Sequence, residues 1–194
     1  MGKPNKLRQD LGGRALVRHA VESALASAAQ DVVVVTGHQQ KEVKAAMHGL
    51  DVRFAHNDQY EQGLSTSLHA GIMALDSAVD AVLVCLGDMP GITSDLINRM
   101  INAYAPEKGR LIVVPTHLGK RGNPVLFSMR FRDELLDASG DTGARHLLGV
   151  HEHVIFEIDA DESVAMDIDT NAALEEAKRR LEDGPDPASQ PPGH

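Results

Sequence analysis

The chain has 194 residues, of which 42% are hydrophobic and 24% charged, a balance typical of one globular domain with a continuous core. Its formal net charge of −9 argues against nucleic-acid binding, which requires positive charge near the phosphate backbone. No apolar segment approaches the ~20 residues that span a bilayer, and the polar N-terminus does not resemble a signal peptide. The single cysteine, Cys85, cannot form an intramolecular disulfide and favours a cytoplasmic protein.

Helical and strand patterns alternate along the chain. Val17, Val21 and Leu25 recur at helical steps and predict an amphipathic helix over 14–29, and the β-branched run 32–35 predicts a buried strand. The remaining predicted elements, in order, are a helix over 40–48, a strand over 52–55, a helix from Ser65, a strand over 81–86, a helix over 96–104, a strand over 111–114, an extended piece over 124–127, helices over 130–138 and 141–149, a strand over 154–158 and a helix over 172–181.

This alternation predicts an α/β fold with a parallel or mixed sheet that helices cover on both faces. We expect one domain over residues 1–183. The Pro-rich, polar residues 184–194 are expected to form a disordered tail.

One carboxylate follows the apolar strand 81–86 directly. Gly87 and Pro90 fix the turn that carries Asp88. Ligands of open α/β sheets bind beyond the carboxyl ends of the strands, and Mg²⁺ takes one or two carboxylates together with phosphate oxygens and water. Asp88 is therefore a candidate magnesium ligand, with a simple turn-capping role as the alternative.

Two more carboxylates precede the last helix. In an extended segment, Asp167 and Asp169 point to one face and Met166 and Ile168 to the other. Two carboxylates on one face of a buried segment are costly without a cation between them. The alternative is that Asp169 or Thr170 is the N-cap of the last helix, which leaves Asp167 without an explanation.

Three further segments place polar groups in loops or at helix starts. Gly63 to Ser67 offers backbone N–H groups and the hydroxyls of Ser65, Thr66 and Ser67 to an anion, or supplies an ordinary N-cap. The loop Arg121-Gly122-Asn123-Pro124 is either a stiffened binding loop or a solvent loop. Arg145 follows Gly140 to Ala144 and can meet a phosphate, or belongs to a capped surface helix.

In this order, the segments resemble the molybdenum cofactor cytidylyltransferase branch of the MobA-like nucleotidyltransferase family. The resemblance implies a Rossmann-like three-layer α/β/α fold of the nucleotide-diphospho-sugar transferase type, with a mostly parallel sheet. It also implies transfer of CMP from CTP to the molybdenum-cofactor pterin phosphate, with release of pyrophosphate. The guanylyl branch usually has a Gly-Pro-Leu-Ala-Gly stretch where this chain has Gly63 to Gly71, which favours CTP over GTP. The matching pieces are Met1 to Leu7, Gly63 to Leu68, Gly87 to Pro90, Arg121 to Val125, Gly140 to Arg145 and Asp167 to Thr170.

The same resemblance implies roles for individual residues. Lys6 contacts the triphosphate, Asp88 holds Mg²⁺, and Asp169 with Asp167 completes the metal site. The partners that the resemblance implies for the protein are CTP or GTP, a molybdopterin-type cofactor, and a molybdoenzyme or its chaperone. The remaining implied contacts are those of Gly63, Ser65, Thr66 and Ser67 with the nucleotide and of Arg121, Asn123 and Arg145 with the pterin or its phosphate.

The chain departs from the family pattern at its start. The family begins with an apolar strand and a Leu-Ala-Ala-Gly-x-Ser-x-Arg-Met-Gly phosphate loop, of which only Met1-Gly2 is present. We expect further residues upstream in the natural protein, and in their absence unpaired edges on neighbouring strands and an incomplete phosphate cradle. Two alternatives are a non-catalytic nucleotide-binding relative and a guanylyl or sugar-phosphate nucleotidyltransferase.

Overall fold

The structure, a computed structural model, describes residues 6–140, 143–168 and 170–183, without the side chains of Asn171 and of residues 180–183. Asp141, Thr142, Asp169 and the tail 184–194 lie outside the described residues, so the predictions made for them stay predictions. Among the described helices, none combines the length and apolar character needed to cross a bilayer.

Short strands and helices alternate over the described chain. The strands are β1 (Asp10–Leu11), β2 (Arg14–Ala15), β3 (Val33–Thr36), β4 (Arg53–His56), β5 (Ala81–Val84), β6 (Ile112–His117), β7 (Lys120–Arg121), β8 (Val125–Ser128) and β9 (Ile155–Asp159). The helices are α1 (Leu16–Leu25), α2 (Gln40–Ala46), α3 (Leu64–Met73), α4 (Ser94–Ala103), α5 (Arg132–Leu136), α6 (Arg145–Val150) and α7 (Asn171–Asp183). Turns of 3₁₀ helix cover Lys6–Arg8, Tyr60–Gln62, Pro106–Lys108, Met129–Phe131, Glu152–Val154 and Glu162–Ala165.

These bounds confirm most of the predicted elements to within a few residues. The first helix is shorter than predicted, because the hairpin of β1 and β2 occupies residues 10–15 and a turn follows Leu25. In that turn the Ser27 hydroxyl donates to the Ala24 carbonyl at 2.6 Å. The predicted helix 130–138 divides into a 3₁₀ turn and α5.

The larger sheet is built around β6. Its strand order is β5-β8-β6-β7, and β9 also pairs with β6. The pairing of β9 with β6 is parallel, whereas β8 runs antiparallel to both β5 and β6. The predicted α/β class is confirmed, but the sheet is mixed rather than mostly parallel. The reason is that β6 turns back through β7 into β8 without a crossover helix.

Helices cover both faces of this sheet. Ile112, Val113 and Val114 of β6 are each 0% exposed. Ile112 and Val114 pack with residues of α3, α5 and α6, whereas Val113 packs with residues of α4. Successive side chains of a strand point to opposite faces, so this division shows a three-layer arrangement with the sheet in the middle.

A second, parallel pair of strands, β3 and β4, lies beside the larger sheet. Val17 and Val21 of α1 pack against Val34 of β3, and α1 also reaches the α4 side of the larger sheet through Ala24. On α3, a methyl group at Gly71 would lie 3.2 Å from Val35 Cγ2, while the neighbouring Ile72 packs against the larger sheet. Two helices therefore hold the strand groups together, although the described residues form no ladder between β3 and β5.

Gly122 lies at a close approach between two loops. A Cβ atom at this position would be 2.3 Å from the Val164 carbonyl oxygen. The backbone N–H groups of Gly122 and Asn123 donate to the carbonyls of Pro115 and Val164 at 2.8 and 2.9 Å. The loop after β7 is thus fixed against the 3₁₀ turn Glu162–Ala165, and a side chain at Gly122 would force the two backbones apart.

We expect Gly122→Ala to lower the free energy of unfolding by about 1–3 kcal/mol, the usual effect of overpacking. Gly149→Ala is the matched control, because its new methyl group in α6 would meet no atom within 4 Å. That control should be neutral or slightly stabilising, since Ala favours helix over Gly. Urea unfolding followed by circular dichroism measures both, and equal stabilities would contradict the close approach.

Candidate active site

Asp88 lies in the turn after β5 and forms an ion pair with Lys6. The Lys6 Nζ is 2.7 Å from Asp88 Oδ2, with the lysine side chain 42% exposed and the aspartate side chain 16% exposed. Lys6 is held near this turn by its neighbour Leu7. A methyl group at Gly87 would lie 3.1 Å from Val17 Cγ2 and 3.4 Å from Leu7 Cδ2, so the turn packs closely against both residues.

The segment of the second predicted carboxylates reaches the same turn. The Ile168 N–H donates to the Asp88 carbonyl oxygen at 2.9 Å. Ile168 is 5% exposed and packs with Leu11, Leu16 and Leu174, so the hairpin and α7 hold this segment in place. Asp167 directly precedes Ile168 and is exposed. The structure therefore brings Lys6, Asp88 and the backbone next to Asp167 together, and the roles predicted for Lys6, Asp88 and Asp167 stay predictions.

The donor set limits which metal fits here. Within residues 6–140, 143–168 and 170–183, no group of three His, Cys, Asp or Glu side chains converges on a metal position. Asp88 lies next to the segment of Asp167, which is hydrogen-bonded to the same turn through Ile168. This arrangement suits Mg²⁺ or a similar hard cation that takes only one or two carboxylates. The same set does not suit a structural zinc ion, which needs four protein ligands.

Asn57 organises the segment that begins α3. Its Nδ2 donates to the Thr66 and Ser67 hydroxyl oxygens at 2.9 and 3.0 Å, and its Oδ1 accepts from the Gln59 N–H at 2.9 Å. Asn57 is 4% exposed, so these bonds satisfy a buried amide. Gly63, with a φ of 110°, makes the preceding turn.

The hydroxyl residues of this segment differ in their surroundings. Ser65 is 5% exposed, and its backbone N–H donates to the Gly140 carbonyl at 3.2 Å. The Thr66 hydroxyl is 2.9 Å from the Gly63 carbonyl and 3.0 Å from the Gln59 carbonyl. Ser67 lines a cavity. Ser65 and Thr66 therefore hold the segment together, and Ser67 is the best placed of the three to meet a ligand. The nucleotide contacts of Gly63, Ser65, Thr66 and Ser67 stay predictions.

That cavity has a volume of about 300 Å³ and opens at the carboxyl end of β3. Gly37, His38 and Tyr60 line it together with Leu7 and Ser67. The rings of His38 and Tyr60 are 5.7 Å apart. Leu7 also borders Gly87, which places the cavity beside the Lys6–Asp88 pair. His38 and Tyr60 were not among the predicted site residues, although Gly37-His38 lies at the end of a predicted strand, where ligands of α/β sheets bind.

Arg121 is held by two carboxylates. Its Nη1 and Nη2 bind Glu152 at 2.7 and 2.5 Å, and its Nε binds Glu157 at 2.6 Å. The hydrogen bonds that Arg121 donates to these carboxylates raise the pKa of Arg121 and lower the pKa of Glu152. Arg121 would have to leave both glutamates to bind a phosphate.

The other two residues predicted to face the acceptor lie on different loops. Asn123 is tied by its backbone to Val164. Arg145 is exposed at the first residue of α6. Gly143 brings this loop to the start of α3, since a methyl group there would be 3.4 Å from Leu64 Cδ2. The structure therefore joins the Arg145 loop to the Gly63–Ser67 segment, and the roles of Arg121, Asn123 and Arg145 stay predictions.

We expect Asn57→Ala to lower the free energy of unfolding by about 1–3 kcal/mol, because the hydroxyls and the N–H group it binds lose a buried partner. Asn102→Ala is the control, since Asn102 is exposed on α4. That change should be neutral or slightly stabilising because Ala is the better helix former. Thermal or urea unfolding compares the two, and an unaffected Asn57→Ala variant would contradict the organising role of this amide.

Cys85 gives a pH-dependent prediction. It is exposed, yet the surrounding protein desolvates the thiolate and raises the pKa of the thiol to about 12. At pH 8 the thiol is therefore neutral, whereas a free cysteine with a pKa of about 8.5 is partly ionised. We expect iodoacetamide to alkylate folded protein at least about a hundredfold more slowly than urea-unfolded protein, with the rate rising about tenfold per pH unit from 8 to 10. Equal rates for folded and unfolded protein would contradict this environment.

Comparison with known proteins identifies the family. Residues 1–154 match the model of the MobA-like NTP transferase domain. Nicotine blue oxidoreductase of Paenarthrobacter nicotinovorans is 30% identical over 179 residues, covering 88% of this chain and 86% of that protein. Molybdenum cofactor cytidylyltransferase of Escherichia coli K12 is 27% identical over 150 residues, covering 77% of this chain and 74% of that protein.

A solved structure supports the fold independently. The structure of Rv0371C of Mycobacterium tuberculosis H37Rv in complex with manganese superposes on this protein with a TM-score of 0.80 at 20% sequence identity. The superposition covers 92% of this chain and 94% of the Rv0371C chain. The predicted Rossmann-like fold is confirmed by this likeness and by the layers described above. Because the family model spans residues 1–154, well over half of the 194, the chain belongs to the MobA-like NTP transferase family of nucleotidyltransferases.

Proposed function

We propose that this protein transfers CMP from CTP to the phosphate of a molybdopterin-type cofactor, using Mg²⁺ and releasing pyrophosphate. The observation that carries the proposal is the Lys6–Asp88 pair, with 2.7 Å between Nζ and Oδ2 in the turn after β5. It supplies one carboxylate for a metal ion and one ammonium group for a triphosphate. The family supports nucleotidyl transfer, and the 27% identity to a molybdenum cofactor cytidylyltransferase supports the choice of nucleotide and acceptor.

The chemistry needs charge stabilisation rather than a nucleophilic side chain. An oxygen of the acceptor phosphate attacks the α-phosphorus of CTP, and the bond between the α-phosphorus and the bridging oxygen breaks to release pyrophosphate. Lys6 binds the pyrophosphate side and stabilises the charge that develops there. Asp88, with Asp167 and Asp169, would hold Mg²⁺, which supplies Lewis-acid stabilisation of the same charge.

The cavity beside this pair supports a nucleotide as the donor. Ser67 can donate its hydroxyl hydrogen to a base, since its oxygen already accepts from Asn57 at 3.0 Å. His38 and Tyr60 provide flat surfaces for aromatic contact. With the base in this cavity, the triphosphate extends past Leu7 towards Lys6. The preference for CTP over GTP rests on the sequence from Gly63 to Gly71.

For the acceptor side, we assign the phosphate contact to Arg145 ahead of Arg121. Arg145 is exposed at the start of α6, next to the loop of Gly143 that packs against the start of α3. Arg121, in contrast, is bound to Glu152 and Glu157. Asn123 lies on the loop fixed against Val164, where its side chain can contribute to the acceptor site. A cytoplasmic molybdoenzyme or its chaperone is the proposed recipient of the product.

Asp88→Asn tests the proposal most directly. We expect it to lower pyrophosphate release from CTP, molybdopterin and Mg²⁺ at least about a hundredfold, because the metal loses its charged ligand. Asp51→Asn removes an exposed carboxylate in the turn before β4 and serves as the control that keeps full activity. Undiminished turnover in the Asp88→Asn variant would overturn the assignment.

The donor nucleotide and the phosphate loop can be tested in the same assay. Protein extended upstream by a family-like phosphate loop is assayed with CTP, GTP, ATP and UTP, beside the 194-residue chain. CTP is expected to give the highest turnover. Titration calorimetry with CTP and Mg²⁺ distinguishes an enzyme from a non-catalytic relative, because the latter binds nucleotide without releasing pyrophosphate.

Redox chemistry on a heteroaromatic compound is a second candidate. It is favoured by the 30% identity to nicotine blue oxidoreductase, which covers more of this chain than the family model does. Bleaching of nicotine blue with a reduced nicotinamide, without pyrophosphate release from any nucleotide, would establish this alternative. The ion pair of Lys6 and Asp88 favours the transferase, because it matches a metal-bound triphosphate.

A further inference from the structure

We propose that Lys6 competes with the divalent cation for Asp88, so that the metal binds more tightly together with the nucleotide than alone. This inference rests on the proposed function, in which Asp88 is a metal ligand. It adds an order of events, in which the Lys6 ammonium group neutralises Asp88 in the empty enzyme. The triphosphate then draws Lys6 away and leaves the carboxylate to the metal.

Lys6 occupies part of the space around Asp88 Oδ2. Lys6 Nζ is 2.7 Å from Asp88 Oδ2, the length of a strong charge-assisted hydrogen bond. Mg²⁺ binds carboxylate oxygens at about 2.0–2.1 Å and needs near-octahedral space around it. An ammonium group in direct contact with the same oxygen occupies part of that space and also repels the ion. The ammonium group therefore weakens metal binding at Oδ2, and the affinity of the carboxylate for the metal rises when Lys6 moves away.

The surroundings of the pair allow the side chain to move while the backbone stays. Leu7 fixes the turn, because it packs close to Gly87 and lines the neighbouring cavity. The lysine side chain is 42% exposed and the aspartate side chain 16% exposed, so the ammonium group lies on the solvent side of the carboxylate. Rotation of the Lys6 side chain uncovers Asp88 without opening the core.

The cavity gives Lys6 another partner once a nucleotide is bound. Leu7 forms part of the wall and directly follows Lys6 in the chain. A triphosphate that leaves this cavity towards Asp88 passes within reach of the lysine and carries more negative charge than one carboxylate. Lys6 then changes partner from Asp88 to phosphate, and the metal gains both the carboxylate and phosphate oxygens as ligands.

Binding of Mn²⁺ to the full chain, followed by the loss of the free-ion electron paramagnetic resonance signal, tests this competition without relying on turnover. Without nucleotide, we expect Lys6→Met to bind Mn²⁺ roughly two- to fivefold more tightly than wild type, the range set by an exposed ion pair. Lys6→Arg keeps the charge and should bind as wild type does. With CTP present, the complex of Mn²⁺ and CTP is titrated into the protein by calorimetry, because CTP itself removes the free-ion signal. Lys6→Met should bind this complex more weakly than wild type, because it loses its phosphate contact.

Two further variants make the outcomes distinguishable. Lys41→Met removes a positive charge from an exposed position on α2 and should leave Mn²⁺ affinity unchanged at physiological salt. Asp88→Asn should weaken Mn²⁺ binding, and wild-type affinity in that variant would contradict the proposed function itself. If Asp88→Asn weakens binding while a folded Lys6→Met variant binds no more tightly than wild type, the competition alone is overturned.

Discussion

The hydrogen bond from the Ile168 N–H to the Asp88 carbonyl, at 2.9 Å, joins segments that lie far apart in the sequence. The candidate metal site depends on it, because it fixes the segment of Asp167 at the turn after β5. Hydrophobic burial of Ile168 with Leu11, Leu16 and Leu174 keeps the bond formed and ties α7 to the N-terminal hairpin. Lys6 completes the same turn from the chain start.

The most deeply buried strand and the cavity lie in different parts of the domain. The central strand β6 is buried on both faces, whereas the described residues of β3 and β5 form no ladder with each other and are linked through α1 and α3. The cavity opens beside this less densely hydrogen-bonded region, at the carboxyl end of β3. Ligands of α/β sheets commonly bind at the carboxyl ends of strands. Regions that admit a ligand are commonly less stable than the packed core of the same domain.

Polar residues that look alike in sequence have different tasks in the structure. Thr66 and Ser67 are adjacent hydroxyl residues, yet the hydroxyl of Thr66 is bound to carbonyls whereas Ser67 lines the cavity. Arg121 at the end of β7 and Arg145 at the start of α6 are both exposed, but the two glutamates hold only Arg121. The electrostatic environment of Arg121 comes from Glu152 and Glu157, which lie more than 30 residues away from it in the chain. Local sequence therefore could not rank these residues as ligands.

Hydrophobic periodicity and turn chemistry are local properties, so the order of the amino acids was enough to predict the α/β class, most element positions and the turn that carries Asp88. It also identified the family through the order of short motifs. Three features became visible only in the folded chain: β8 runs antiparallel, Asn57 organises the start of α3, and Lys6 lies 2.7 Å from Asp88. These features depend on contacts between residues distant in the chain, whose geometry is set by packing of the whole domain.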